Sequence, residues 1–286
     1  MNFSKLKYII LSIIFFASCK KIKYYPDNPI ENVETKILAH RGGGHSGIQE
    51  NTLASVQYGL NQLDGVEVDI QLSKDRTIWL SHNAELPTCT GIDVDCFVTA
   101  HDYEIIELDS CLGNNYNFST LDTIFHYIAE YYPEKYISLD VKAWHPCDLG
   151  HLDVTGLLNV IAEEIIKLVD KYNLHNQVMV ESETATFLNF IKKRSNKIGI
   201  YLATMGDFER GMMLALESGY TGISFKYKYD EKITHEHVQL LHKKGLRIQL
   251  WTVNDENDIL EAISLNPDFI QTDNIDFVVD NDLKYN

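Results

Sequence analysis

Eight short runs rich in Val, Ile and Tyr, most of them followed by a stretch of helical periodicity, constrain the fold of this chain more than any other feature. They fall at 37–39, 66–70, 136–141, 177–181, 197–202, 221–225, 247–252 and 268–272. Between them, Leu157, Leu158, Ile161, Ile165, Leu168 and Val169 recur at helical spacing, and segments 52–63, 184–194, 208–217, 234–243 and 255–264 behave alike. Thr234 and Asn254 stand where helix N-caps are expected. Eight strand-then-helix units in about 250 residues are the arithmetic of an α/β chain closed into a (β/α)8 TIM barrel, whereas a doubly wound sheet more often stops at five to seven strands. Residues 77–118 hold an extra strand, TIWLS, and a Gly/Asn-punctuated stretch too long for a βα loop, so they read as an insertion after the second strand.

The chain ahead of residue 37 has a different character. Lys5 and Lys7 precede an apolar run over 8–17, too short for a bilayer that needs roughly 20 residues, and small residues follow. This is the pattern of a secretory signal over 1–18. The ending Phe16-Ala17-Ser18-Cys19 resembles the lipobox of bacterial lipoproteins, with Phe16 where Leu is usual. The resemblance implies a lipid on Cys19 and a membrane-anchored protein, exported to the bacterial cell envelope on its periplasmic or outer face. Residues 19–36, polar and Pro-containing, read as a tether, and 37–286 as the barrel domain.

Export makes Cys89, Cys96, Cys111 and Cys147 an even set in a compartment that permits disulfides. Of the three pairings, Cys89 with Cys96 and Cys111 with Cys147 is favoured, because the first pair brackets a short loop. No CxxC or HxxxH spacing supports zinc.

Charge excludes some partners. With 25 Lys and Arg against 41 Asp and Glu, a net charge of −16 offers no basic face for a nucleic-acid backbone. An anionic ligand would need local cations or a bound metal. In such a barrel the site lies at the C-terminal ends of the strands. There the sequence concentrates His40-Arg41-Gly42-Gly43, Glu67 and Asp69, Asp140 and Lys142, Trp251 to Asn254, and Thr272-Asp273. Glu67 and Asp69, two apart on a strand, share a face, which is costly for two carboxylates unless a cation lies between them. A hard divalent ion held by oxygens resolves the cost. Glu181 and Glu183, after the fourth strand, are candidates to line the mouth. The remaining histidines have no comparable company and read as surface or capping residues.

HRGGG at 40, ENT at 50–52, VEVDIQLSKDRTIWLSH, VK after the third strand, LWTVN and FIQTDN, in this order and spacing, resemble the glycerophosphodiester phosphodiesterase family from Ile37 to Asn274. The resemblance implies a phosphoric diester hydrolase that uses His40 and His82 as an acid/base pair and Arg41 as phosphate anchor. Lys142 would assist Arg41, and Trp251 would contact substrate. Glu67, Asp69 and Asp140 would hold one divalent ion, Ca2+ or Mg2+, while Glu50 and Asn51 would support the rim through metal-bound water or phosphate. The small-molecule substrate would be a glycerophosphodiester, split to an alcohol and glycerol 3-phosphate.

Three positions depart from the family pattern: Asn83 replaces the Asp that usually follows the second histidine, Asp140 replaces a Glu, and Thr88-Cys89-Thr90-Gly91 lacks the Arg of an Arg-Thr-Thr-x-Gly segment. Asp140 also resembles the sphingomyelinase D-type phospholipases, so a phospholipase D-like enzyme acting on lysolipids or sphingolipids is a second reading. A catalytically weak phosphodiester-binding lipoprotein is a third, with Asn83 as its motive.

Overall fold

Alternation of strand and helix closes into a barrel in the computed structural model, which describes residues 25–89, 91, 93–113, 117–142, 147, 149, 153–229 and 231–283. The eight parallel strands are β1 (Lys36–Ala39), β2 (Gly65–Leu72), β4 (Tyr136–Asp140), β5 (Val178–Ser182), β6 (Gly199–Thr204), β7 (Gly222–Lys226), β8 (Arg247–Trp251) and β9 (Phe269–Thr272). Neighbours pair in that order, and β1 closes the ring by pairing with both β2 and β9. β3 (Ile78–Leu80) adds antiparallel to β2 outside the ring, as the TIWLS segment suggested. The strand bounds lie within two residues of those read from the sequence.

The outer helices are α1 (Leu53–Gln62), α3 (Leu121–Tyr131), α4 (Val154–Tyr172), α5 (Ala185–Arg194), α6 (Phe208–Ser218), α7 (His235–Lys243), α8 (Glu256–Ser264) and α9 (Ile275–Asp280), with α2 (Asp102–Leu112) inside the insertion. Thr52 and Thr234 cap α1 and α7 with their hydroxyls. The cap of α8 is Asp255, not Asn254: the Asp255 carboxylate accepts from the amides of Asn257 and Asp258, and Asn254 is engaged elsewhere. The sequence reading passed over α2 because only Ile105 and Leu108 along it are buried, too few to mark a periodic stripe. Those two pack with Trp79, Leu86, Phe97 and Ala100 into a small core separate from the main one.

Period-two alternation sorts the barrel interior into layers. Leu38, Tyr136, Met179, Tyr201 and Phe269 plug the base. Above them lies a polar layer of Ser138, Glu181, Ser224, Gln249 and Gln271, all buried and hydrogen-bonded to one another. Asp69, Asp140, Lys226 and Trp251 come next, at the open end.

The disulfides are Cys89–Cys111 and Cys96–Cys147, which corrects the expected pairing of Cys89 with Cys96 and Cys111 with Cys147. Glu85 lies opposite Cys96 across a short antiparallel bridge. Cys89 is therefore carried into the loop, away from Cys96 and toward the last turn of α2. Closeness in sequence misled because the segment doubles back between the two residues.

Residues 1–24, and with them the expected signal segment, Cys19 and the start of the tether, lie outside the described residues. The remainder of the tether is docked: Asn28 and Ile30 donate their amides to the carbonyls of Lys243 and His242 at the end of α7, and Lys244 pairs with Asp27. Gly245 makes room for this crossing, at φ +77° with any Cβ falling 2.8 Å from the Asn28 carbonyl oxygen.

Candidate active site

The open end of the barrel holds a cavity of about 430 Å³, whose wall includes His40, Arg41, Glu67, Asp69, His82 and Asp140. The chain enters it from β1 through the tight turn His40–Ser46, in which Arg41, Gly42 and Gly43 all take positive φ. Gly42 has no substitute there, since a Cβ would sit 2.6 Å from Ser55 Oγ. Arg41 accepts the left-handed conformation, φ 51°, a cost of about 1–3 kcal/mol that functional turns often carry. The turn aims the Arg41 amide at Glu67 Oε2 (2.9 Å) and its guanidinium at Glu50 Oε1 (2.9 Å) and Asp69 Oδ2 (3.4 Å).

Glu67, Asp69 and Asp140 bring one carboxylate oxygen each within 4.8 Å of one another. Register explains the convergence: Asp69 is the β-ladder partner of Asp140, and Asp140 of Glu181. Burial, with the charges of Asp69, Glu181 and Asp140, pushes Glu67 well above the usual carboxylate range. Burial raises Asp140 as well, although Lys142 opposes it. Burial works against Asp69 too, but Lys142, His82 and Arg41 hold it below the ordinary value. Lys142 Nζ lies 2.5 Å from Asp69 and 2.8 Å from Asp140. One ammonium therefore supplies part of the positive charge the cluster needs, and Glu67 is left short of it. Three converging oxygen donors, one of them unable to ionise comfortably, fit a hard divalent cation.

Two imidazoles flank this cluster with different backing. His40 Nδ1 donates to Asp273 Oδ1 at 2.7 Å, while its Nε2 faces Glu67 Oε2 at 3.7 Å. Asp273 is itself held at both ends, by the Asn254 amide to Oδ2 (2.7 Å) and from its own backbone N–H to Asn254 Oδ1 (2.9 Å). His82 Nδ1 donates to Asn83 Oδ1 at 3.1 Å, so the departure from the family pattern faces the ring it was suspected of affecting. Trp251 lines the cavity with its indole N–H buried and without a hydrogen-bond partner among the described residues, and the Lys226 ammonium lies 5.7 Å from its ring centre.

Asn51 supports the site as expected, but through a carboxylate rather than through water or phosphate: it is buried, and its amide clamps Asp69 at both the side chain (3.0 Å) and the backbone N–H (3.0 Å). Glu50 does reach the rim, as the partner of Arg41. Glu181 and Glu183 both line the cavity, Glu181 with its carboxylate held by the donors Ser138, Ser224 and Gln271 of the polar layer. The sequence reading gave Asp273 no role, although Gln271 and Asp273, two apart at the end of the last strand, offered the parity signal used for Glu67 and Asp69.

The glycerophosphoryl diester phosphodiesterase family model matches residues 40–277, most of the chain. The chain belongs to that family. It is accordingly an enzyme of the phosphoric diester hydrolase class. A glycerophosphodiester phosphodiesterase of Caldanaerobacter subterraneus is 27% identical over 84% of this chain and 95% of its own length. A lysophospholipase D of Rattus norvegicus is 22% identical over 84% and 83%. An Oleispira antarctica phosphodiesterase, solved in complex with the product sn-glycerol-3-phosphate, superimposes with a TM-score of 0.68 at 19% identity, covering 88% of this chain and 97% of that one. Strand order and closure agree with that fold.

Proposed function

We propose that this family member hydrolyses glycerophosphodiesters to an alcohol and glycerol 3-phosphate at the open end of the barrel. The observation that carries the proposal is one cavity wall joining two imidazoles, a guanidinium and three convergent carboxylates. Glu67, Asp69 and Asp140 would hold a divalent cation, Ca2+ or Mg2+; bound there it offsets negative charge on the phosphate. Arg41 binds phosphate oxygens from the other side, with Glu50 holding the guanidinium in place, and Lys142 moves from its carboxylates to the substrate. Asn51 fixes the reach of Asp69. Trp251 offers its indole N–H and its ring to the substrate. His40 and His82 serve as base and acid, groups suited to proton transfer near neutrality. A lipid on Cys19, after removal of residues 1–18, would keep the enzyme at the cell envelope.

The test is product analysis on a panel of glycerophosphodiesters, with and without chelator. Turnover to glycerol 3-phosphate that is abolished by exhaustive chelation and restored by Ca2+ or Mg2+ is expected, and Glu67→Gln should mimic chelation. Full activity in the metal-free protein would reject the metal assignment. A second reading, a phospholipase D-like enzyme, is favoured by Asp140 in place of Glu and by the lysophospholipase D relative; faster release of headgroup from an acyl-bearing lysolipid than from its deacylated diester would select it.

A further inference from the structure

The net charge of −16 is not spread evenly over the barrel; the fold sorts it by end. Each outer helix runs back against its strand, so the segments leading from a helix to the next strand gather at the base, opposite the cavity. These segments, 62–65, 131–136, 171–177, 192–198, 217–221, 242–247 and 264–268, hold nine Lys and Arg against four Asp and Glu. Outside the insertion, the segments leading from strand to helix, 40–52, 141–153, 183–184, 205–207, 227–234, 252–255 and 273–274, hold four against nine. An acidic molecule thus has one basic end.

Four of the basic residues, Lys192, Lys193, Arg194 and Lys197, follow one another at the end of α5. Arg194 is committed to Glu163 and Asn159, and Lys192 donates to the Ser218 carbonyl at the end of α6. Lys193 and Lys197 are exposed and make no ion pair among the described residues. All four border a concavity of about 350 Å³ in which Asp170 is the only acid among the described residues. Along the same end, Lys243 and Lys244 share the single carboxylate of Asp27 (3.4 and 2.7 Å), which leaves net positive charge where the tether docks. Asp170 and Glu217, near the ends of α4 and α6, oppose the patch but do not cancel it. The acids of the mouth do not reach it: the wall is about 28 Å high along the 19 residues of α4, against a Debye length of about 8 Å at physiological ionic strength.

We propose that the base of the barrel is a docking face for the anionic surface of a phospholipid bilayer, centred on Lys193 and Lys197 and continued by Lys243 and Lys244. The inference goes beyond the hydrolase reading and does not depend on it. Ammonium groups spread over several loops of one end match a plane of headgroup phosphates, with the concavity beside Lys193 deep enough to take one of them. The chain ahead of Tyr25 leaves from this end, so a membrane holding Cys19 would meet this face first. Docking there points the cavity away from the lipid and into water.

Every described element lies beyond residue 24, so the chain from residue 19 carrying Cys19→Ala keeps the fold and has no lipid. Its sedimentation with vesicles of phosphatidylcholine alone is compared with that on vesicles containing phosphatidylglycerol. Each lysine near an anionic leaflet is worth roughly 5-fold in partitioning, so the phosphatidylglycerol vesicles should be preferred by about 10-fold or more at about 0.1 M salt, and the preference should vanish near 1 M. Lys193→Glu/Lys197→Glu should bring the ratio close to one, and the neutral Lys193→Gln/Lys197→Gln should give an intermediate ratio, both with the unfolding midpoint of the parent. Equal partitioning onto both vesicles, a ratio unchanged in the two variants, or a preference that persists near 1 M salt would overturn the docking face, whatever the hydrolase assays show.

Discussion

Asp273 gives His40 a carboxylate partner where His82 has the neutral Asn83 amide: the Asp273 carboxylate accepts the Nδ1 proton, and Asn254 immobilises it from two directions. This arrangement fixes the tautomer, leaving Nε2 as the nitrogen that faces the cavity. Asp273→Asn removes the charge and allows the amide to present an N–H to the ring, so kcat should fall by about 10²-fold or more with little change in KM. An unchanged kcat would mean that Asp273 only anchors the end of β9. The opposite experiment applies at His82. Asn83→Asp places an anion about where the amide oxygen now sits, 3.1 Å from Nδ1. An adjacent anion favours the protonated ring, so the histidine-linked limb of the pH–activity profile should move to higher pH, by up to about one unit. A profile that does not move would show that solvent screens position 83.

The strands and helices explain both what could be read in advance and what could not. The parity of Glu67 and Asp69 on β2 announced an inward-facing carboxylate pair, and apolar runs located all eight barrel strands. Glu181 shows the limit of such reading: its position after the fourth strand suggested the mouth, and it does line the cavity, but only the fold shows that Ser138, Ser224 and Gln271 hold its carboxylate in a buried polar layer. The disulfides escaped for the same reason, since they depend on how the insertion doubles back. Burial, reinforced by Asp140, pushes Glu181 to about 7 from an ordinary 4.5, even though Ser224, Gln271 and Ser138 favour its charge. A carboxyl raised in the folded state binds its proton more tightly there than in the unfolded chain. Its stabilising contribution is therefore complete below about pH 4.5 and is lost as the pH rises through about 7. The metal-free protein should lose roughly 2–4 kcal/mol across that window from this residue, with Glu67 adding in the same direction. Glu181→Gln, which cannot ionise, should flatten the dependence. Unfolding measured between pH 5 and pH 8 on chelated protein checks this, and equal slopes in wild type and variant would refute it.

At the scale of the whole molecule, the cavity and the described part of the tether, from Tyr25 onward, lie at opposite ends. The cavity opens where the strands end, while Asn28 and Ile30 are hydrogen-bonded to the last turn of α7, at the base, because each outer helix runs back against its strand. The six steps from Cys19 to Tyr25 span at most about 20 Å. A lipid on Cys19 would therefore hold the base near the bilayer, with the mouth farther away by the height of the wall, about 28 Å for the 19 residues of α4. That orientation favours a phosphodiester dissolved in water over a lysolipid seated in the same membrane. The net charge of −16 acts in the same sense, since it keeps the rest of the surface from settling on anionic lipid. Reconstituted in vesicles, the anchored enzyme should cleave an added soluble glycerophosphodiester with the same kcat/KM as the Cys19→Ala protein in solution, and should cleave vesicle-embedded lysolipid more slowly than the soluble diester. Preferential cleavage of the embedded lysolipid, lost in Cys19→Ala, would show that the mouth reaches the membrane and would favour the phospholipase D-like reading.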